Sequence, residues 1–443
     1  MKWQRRTIPW LNLSKFIMTL TFLPLIGLII FIIGYAGIAF EHKTHINKAA
    51  WALFTGGALW ILVALQDYHV IEEKMLHAGY EIFSITLFLL AAMSLVEILI
   101  ACGVFDLLRQ KMLSYHMSNT KQFLIFLILA FFLSGIIDNL TATIILVQIA
   151  RKFFKGENLL VAGVGIVLAA NAGGAFSPIG DITTIMLWIA GKFTALEIIT
   201  RGFFPSLAIF IVASSLLLKK MTDTDDDTLP SETVKPLTWE RKLIVGITLL
   251  SFFMPIAAKA LHLPPVSGIL FGLGIAWITI DLLRARRSHG TQFSENMDSL
   301  LQKTDISSIK FFVGILLAVS ALEALGVLSA ISNFIYGEVQ STTSVIIGNV
   351  LMGMISAVLD NIPLTAIAIN ILEVTDTNLW VLLAISVGTG GSLLAIGSAA
   401  GVVAMGILRE LTFKKYFDIA FVPALLGYFA GIFVWWIQTT LFF

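Results

Sequence analysis

The chain has 443 residues, of which 58% are hydrophobic and 13% charged, and its formal net charge at pH 7 is +1. Soluble globular proteins carry roughly 25% charged residues, so this composition excludes a water-soluble chain, and the balanced charge excludes a strongly basic nucleic-acid-binding protein. Apolar stretches of about 20 residues recur along the chain, as bilayer-spanning helices require. The sequence therefore predicts an all-α polytopic membrane protein that lies in a lipid bilayer and binds no nucleic acid.

The first half of the chain, residues 1–220, begins with a basic segment and a long apolar run. That run is longer than the apolar core of a signal peptide, so we expect it to be a retained span. The predicted segments of this half are spans at about 16–40, 49–66 and 79–104, a hairpin at 122–152, a broken helix at 159–190 with its break at 171–174, and a final span at 202–218.

The hairpin is predicted because residues 122–152 have a polar interruption at their centre. Ser134, Gly135, Asp138 and Asn139 lie there, while lysine and arginine residues flank both ends. Positive flanks on both sides indicate that both ends face the cytoplasm. A re-entrant hairpin with Asp138 and Asn139 at its tip satisfies this, since non-helical backbone at membrane depth needs surrounding protein or a water-filled cavity.

Residues 221–240 form an acidic polar linker without apolar periodicity, which predicts a solvated connector. The second half, residues 241–443, repeats the plan of the first. Its predicted segments are spans at about 241–258, 265–283 and 309–330, a hairpin at 343–373, a broken helix at 379–408 with its break at 388–392, and a final span at 417–440. Each half has about five crossings, an odd number, so we predict two repeats of inverted topology. Most basic loops agree with this orientation, but the basic N-terminus does not.

Two polar motifs occur once in each half. The pair Asp138-Asn139 is repeated 222 residues later as Asp360-Asn361, and the pair Gly173-Gly174 is repeated 217 residues later as Gly390-Gly391. Corresponding polar breaks in two membrane repeats are the best sequence sign of a transport site. We therefore expect these segments to meet in one binding site.

Three acidic residues in these segments, Asp138, Asp181 and Asp360, have no lysine or arginine in their apolar surroundings. A carboxylate at membrane depth is costly unless it binds a cation or takes up a proton. Burial disfavours the charged form of a carboxyl group and a bound cation favours it, so protons and cations would compete for the same oxygens. This pattern predicts a cation/proton exchanger with no cofactor besides the transported ions.

Neutral oxygens of Asn, Thr and Ser surround these carboxylates in the sequence, and such ligands suit a hard alkali cation. The candidate cation- and proton-binding residues are Asp138, Asn139, Thr141, Asn171, Gly173, Gly174, Asp181, Thr183, Thr184, Asp360, Asn361, Thr365, Gly390, Gly391, Ser392 and Ser398. Na⁺ itself is expected at Asp138, Asn139, Asp181, Asp360 and Asn361. We favour Asp138 and Asp181 as the main carriers, because the second half has Ser398 where the first has Asp181.

Two further acidic residues, Glu97 and Glu323, lie in the third span of each half. They are candidate proton-path groups, and the alternative is a place near a cavity wall or helix end. The single cysteine, Cys102, excludes an intrachain disulfide.

The segments around Asp138-Asn139, Asn171-Ala-Gly-Gly through Gly-Asp181-Ile-Thr-Thr184, Asp360-Asn361 and Gly390-Gly391-Ser392 through Ser398 resemble those of the NhaD-type sodium/proton antiporters of the ion transporter superfamily. The resemblance covers most of the chain. It implies exchange of external protons for internal Na⁺ or Li⁺ across a bacterial inner membrane, two opposed hairpins, an elevator-like motion and often a homodimer. It also implies that the polar residues Asp138, Asn139, Asn171, Asp181, Thr183, Thr184, Asn361 and Ser398 are needed for activity.

Two other functions remain open at this point. A carrier of arsenite, citrate or a dicarboxylate could share the superfamily and bind Na⁺ at the same places, although acidic hairpin tips disfavour an anionic substrate. An intramembrane aspartyl protease would also use two buried aspartates, but it needs neither the repeated glycine pairs nor the asparagine beside each aspartate.

Overall fold

The computed structural model describes residues 22–39, 46–66, 71–104, 118–222, 237–285, 306–337, 339–359 and 361–442, with isolated positions between them. In the first half the helices are α1 (Phe22–Ala39), α2 (Lys48–Gln66), α3 (Ile71–Ala101), α4 (Asn119–Ile137), α5 (Asn139–Ala150), α6 (Gly156–Gly174), α7 (Ile182–Ile189) and α8 (Ala195–Leu218). In the second half they are α9 (Trp239–Ser251), α10 (Met254–Ala260), α11 (Pro265–Ala285), α12 (Ile306–Ala324), α13 (Val327–Tyr336), α14 (Thr342–Ile355), α15 (Asn361–Ile371), α16 (Thr377–Gly390), α17 (Ala399–Ile407) and α18 (Phe413–Phe442).

Eight helices in the described part of the chain are long and apolar enough to cross a membrane: α2, α3, α4, α6, α8, α9 with α10, α11 and α18. Many large apolar side chains on them point outward, including Phe271, Ile278 and Phe433 at 63%, 61% and 58% exposure. In a membrane these side chains contact lipid. The chain is therefore an all-α polytopic membrane protein. The opposite orientation of the second half stays a prediction, and most of the acidic linker lies outside the described residues.

Helix α8 begins seven residues before the predicted final span. Thr194 caps it by accepting a hydrogen bond from the main-chain N–H of Glu197, and the Glu197 carboxylate accepts one from the main-chain N–H of Thr194. This is the capping box of the sequence pattern Thr-x-x-Glu. The start of α8 could thus have been predicted from Thr194 and Glu197, although apolar residues alone place it later.

Two predicted spans are interrupted. Between α9 and α10 the helix is broken just before Pro255, which cannot donate a main-chain hydrogen bond within a helix. Between α12 and α13 the chain turns at Gly326, whose φ of 78° lies in the left-handed region that glycine tolerates.

The first helix break lies later than predicted, whereas the second begins within the predicted range 388–392 and extends beyond it. Helix α6 continues through Gly174 and the chain becomes helical again only at Ile182, while α16 continues through Gly390 and two short 3₁₀ turns precede α17. The reason is packing. A side chain at Gly173 would overlap the main-chain oxygen of Phe131 in α4, so this glycine allows two helices to pack closely instead of opening the backbone at its own position.

The helices form two groups by their packing. One group contains α1–α3 and α9–α13, in which α2 packs against α12 and α3 packs against α11. The other contains α4–α8 and α14–α18, in which α8 packs against α18, α4 against α6 and α14 against α16. The groups meet where α12 contacts α15, where α13 contacts α14 and α15, and where α3 contacts α7. The described residues of the two repeated polar motifs lie in the second group, whereas Glu97 and Glu323 lie in the first.

Candidate functional site

The tip of the first hairpin meets the first broken helix in a buried hydrogen-bonded group. Asn139, the first residue of α5, donates through Nδ2 to Asn171 Oδ1 at 2.9 Å and to Asp181 Oδ1 at 3.3 Å. Asn139, Asn171 and Asp181 are 6%, 0% and 3% exposed. Buried polar groups are costly unless they are hydrogen-bonded, so Asn139 joins the hairpin to both sides of the break.

The same group extends to the second broken helix. Asn171 Nδ2 donates to Ser392 Oγ at 2.8 Å and to Ser398 Oγ at 3.1 Å. Ser398 also caps α17 by accepting from the main-chain N–H of Gly401 at 3.1 Å. We call Asn139, Asn171, Asp181, Ser392 and Ser398 the central polar cluster. It joins both halves of the chain and contains one carboxylate, two amides and two hydroxyls.

Asp181 is the N-cap residue of α7, but its carboxylate does not cap that helix and is directed to Asn139 instead. A negative charge at the positive end of a helix is stabilised by the helix dipole. The main-chain oxygen of Asp181 accepts a hydrogen bond from Thr184 Oγ1 at 2.8 Å, and the neighbouring Thr183 is fully buried. A carboxylate surrounded by amide and hydroxyl oxygens is a ligand set for a small hard cation.

Asp138 precedes Asn139, yet its side chain points elsewhere. Its carboxylate caps α5 by accepting from Thr141 N at 2.8 Å and from Thr141 Oγ1 at 2.7 Å. Its backbone has φ 84° and ψ 154°, a region almost confined to glycine that costs about 1–3 kcal/mol. Strain of this kind concentrates at functional sites.

Asp138 lines a narrow pocket of about 30 Å³ between the two helix groups. The other residues that line this pocket are apolar, and they are Phe88, Leu89, Ala92, Met93, Ile137, Leu140, Ile179, Ile182, Ile185, Phe252 and Phe312. Asp138 therefore faces the boundary between the groups, whereas Asp181 lies within one of them.

The tip of the second hairpin is bonded differently from the first. The Asn361 amide donates to Val387 O at 3.0 Å and to Gly397 O at 3.3 Å, in the orientation that avoids placing its oxygen against these carbonyl oxygens. Thr365 Oγ1 donates to the main-chain oxygen of Asn361 at 2.7 Å. Asp360, predicted as a third carrier, lies outside the described residues.

Contacts between hairpin and broken helix recur in the two halves. Ser134 Oγ donates to Ala170 O at 2.6 Å in the first half, and Ser356 Oγ donates to Val387 O at 2.9 Å in the second. The two serines are 222 residues apart and their two acceptors are 217 apart, as in the repeated motifs. The repeated sequence thus corresponds to repeated packing.

The two glycine pairs also make equivalent contacts in the two halves. A side chain at Gly173 would overlap the main-chain oxygen of Phe131, in the first arm of the first hairpin. A side chain at Gly390 would overlap that of Gly353, in the first arm of the second hairpin. Side chains at Gly174 and Gly391 would overlap the main-chain oxygens of Gly180 and Gly397, beyond the break. These four glycines bring backbones together around the site.

The two broken helices also face each other through equivalent positions. Asn171 of the first reaches Ser392 and Ser398 of the second. Gly388 is the equivalent of Asn171, and a Cβ built on it would lie 2.9 Å from Asp181 Oδ2 and 3.6 Å from Ala175 Cβ. Asp181 and Ala175 are in turn the equivalents of Ser398 and Ser392, each at an offset of 217. The broken helices thus cross at two equivalent contacts. The crossing at Asn171 contains an amide and two hydroxyls, and the crossing at Gly388 contains a single carboxylate.

The structure separates the predicted site residues. Asn139, Asn171, Asp181, Ser392 and Ser398 form the central polar cluster, and Thr141 accompanies Asp138 instead. Glu323 is exposed near the end of α12, outside the cluster, and Glu97 is half-buried in the last turn of α3. Ser134 was expected only in the polar interruption of the first hairpin and Gly388 only in the predicted break at 388–392, and neither these two residues nor Ser356 were predicted as binding residues. The two serines could have been found from their shared offset of 222 within the repeated motif.

No group of three or more His, Cys, Asp or Glu side chains that could hold a metal ion occurs among the residues that the structure describes.

Comparison with known proteins relates the chain to transporters. Residues 16–388 match the family model described as citrate transporter. Over 417 residues the chain is 36% identical to Sodium/proton antiporter 1 of Arabidopsis thaliana, covering 91% of this chain and 70% of that protein. It is 32% identical over 450 residues to the Na(+)/H(+) antiporter NhaD of Alkalimonas amylolytica, covering 93% and 90%. A similar protein of Vibrio cholerae is 31% identical over 443 residues, covering 92% of this chain and 90% of that protein.

Proposed function

The chain belongs to the family of NhaD-type sodium/proton antiporters, and we propose that it exchanges Na⁺ or Li⁺ for protons by competition of the two at buried aspartates. The observation that carries this proposal is the central polar cluster, in which the buried carboxylate of Asp181 is bonded to Asn139 at the place where the hairpin and both broken helices meet. Bacterial relatives support a place in the bacterial inner membrane. The homodimer remains a prediction from the resemblance.

The ligand arrangement suggests how a cation displaces a proton. In the cation-free arrangement the Asn139 amide nitrogen is directed at the Asp181 carboxyl group. A cation needs oxygens, so its binding requires the amide to rotate and present Oδ1, and requires the carboxyl group to be ionised. A proton on Asp181 removes that charge. Occupation by the cation and by the proton therefore exclude each other, which couples the two fluxes.

Asp138 gives the second part of the mechanism. It lies at the apolar boundary between the two helix groups, where an uncompensated carboxylate is unfavourable. The helix group that contains the central polar cluster would move past the other group only when its carboxyl groups carry protons or a cation. The division of the helices into two groups, with all described members of the central polar cluster in one of them, supports an elevator-like movement of one group against the other.

The citrate-transporter description of the family model leaves an anion carrier to be tested. The described members of the cluster are neutral or acidic and none is cationic, so they offer no group to attract a citrate carboxylate. The relatives are named as transporters rather than enzymes, and the protease hypothesis is therefore abandoned.

The decisive assay uses inside-out membrane vesicles from a strain without its own sodium/proton antiporters, energised by respiration and loaded with a pH-sensitive dye. Addition of NaCl or LiCl should release accumulated protons, and choline chloride should not. Uptake of labelled citrate or arsenite that depends on the protein, without proton release by Na⁺, would contradict the proposal.

A further inference from the structure

We infer that Gly388 is a positioning residue that determines cation specificity: its missing side chain leaves the space occupied by the Asp181 carboxylate, and so sets the width of the cation site. This inference rests on the proposed function, because it takes Asp181 as the cation ligand.

The backbone of Gly388 does not explain why this residue is glycine. Gly388 lies in the last turn of α16, with a φ outside the left-handed region. Glycine is less favourable than alanine in a helix, so its presence here needs another reason. The space around it gives the explanation, since a Cβ there would lie 2.9 Å from Asp181 Oδ2, closer than carbon and oxygen atoms pack.

The crossing at Asn171, the equivalent of Gly388, shows the arrangement when this position has a side chain. There Asn171 fills the space and is bonded to two serine hydroxyls, with no carboxylate between the helices. The space between the helices is thus filled by the side chain of Asn171 in one crossing and by the carboxylate of Asp181 in the other. A carboxylate fits on one helix only where the facing residue of the other helix has no side chain.

An added methyl group at position 388 would act on the ligand rather than on the fold. The atom that it meets is the end of a side chain, which moves at low cost, and not main chain. Asp181 Oδ1 faces Asn139 on the opposite side, so the carboxylate is pushed toward Asn139 and the space between them narrows. Na⁺, the larger ion, should then lose more affinity than Li⁺.

The first test compares Gly388→Ala with Gly406→Ala in the vesicle assay. Gly406 lies in helix α17 and a Cβ there meets nothing within 4 Å. In Gly388→Ala we expect the half-saturating Na⁺ concentration to rise about tenfold, the order expected for a ligand displaced by a fraction of an ångström. The half-saturating Li⁺ concentration should rise less. Unchanged half-saturation for both ions, or an equal loss for both, would overturn the inference.

A second measurement does not depend on transport. Thermal unfolding of the purified protein is compared for wild type, Gly388→Ala, Asp181→Ala and the double variant. The substitution at position 388 should be better tolerated in the Asp181→Ala background, where the clashing carboxylate is gone; if Gly388→Ala does not accumulate, the double variant should restore accumulation. An equal effect in both backgrounds would refute the contact. Failure of the proposed function is recognised separately, since wild type would then release no protons on Na⁺ addition.

Discussion

Adjacent residues at the tip of the first hairpin have different partners. Asn139 reaches Asn171 and Asp181, whereas Asp138 caps its own helix and faces an apolar pocket. The N-cap position explains this, because the cap side chain turns back to the first helical N–H groups while the next residue already follows the helix. The Asp138-Asn139 pair therefore contains two functions that we assign to different residues.

Substitution of Asp181 by Asn tests the assignment of the cation site at this scale. The variant keeps the shape of the side chain but loses its charge, so we expect it to accumulate normally and to lose Na⁺-dependent proton release by at least about 100-fold, in line with removal of a charged ligand. Asp418→Asn, at an exposed position, is the matched control and should behave as wild type. Retained exchange in Asp181→Asn would remove Asp181 from the mechanism.

The sequence was sufficient to select the residues of the central polar cluster, because buried polar residues in apolar helices are rare and these occur at repeated spacing. It was not sufficient to tell that Asn171 bonds to serines of the other half, or that Gly388 faces Asp181. Those facts depend on how the two broken helices cross, and periodicity along one chain segment carries no information about that crossing.

At the scale of elements, helix boundaries followed local chemistry more than hydrophobicity. The capping box of Thr194 and Glu197 starts α8, and Pro255 and Gly326 end helices that the apolar pattern would continue. The breaks of α6 and α16 were predicted at the glycine pairs. The second begins at Gly391 as predicted, but the first lies beyond Gly174, because glycines that pack closely against a neighbouring helix can remain helical.

Removal of the α8 cap gives a stability prediction. Thr194→Ala should lower the free energy of unfolding by about 1 kcal/mol, measured as a lower midpoint of thermal unfolding in detergent. The half-saturating Na⁺ concentration should stay the same, since Thr194 lies outside the central polar cluster. Thr200→Ala, which removes an exposed hydroxyl bonded within the same helix, should change the midpoint less. Equal midpoints for the two variants would contradict the role of the cap.

At the scale of the whole molecule, the two helix groups give a prediction about movement. Ile182 and Phe312 line the same pocket from different groups. In a Cys102→Ser background, we expect a short bis-thiol cross-linker between Ile182→Cys and Phe312→Cys to stop Na⁺-dependent proton release.

A matched pair lies within one group, where Lys415 of α18 and Glu157 of α6 form an exposed ion pair at 3.4 Å. Cross-linking Glu157→Cys to Lys415→Cys should leave most of the exchange intact. Full activity of the first cross-linked pair would show that the groups do not move relative to each other during transport.

The central claim is that protons and Na⁺ compete for the carboxyl group of Asp181, and the pH dependence of Na⁺ affinity tests it most directly. At low pH the carboxyl groups hold protons and Na⁺ binds weakly, so the half-saturating Na⁺ concentration should fall as the pH rises. For one proton displaced per Na⁺, the limiting slope is about tenfold per pH unit. A half-saturating Na⁺ concentration that stays constant between neutral and alkaline pH would contradict the account.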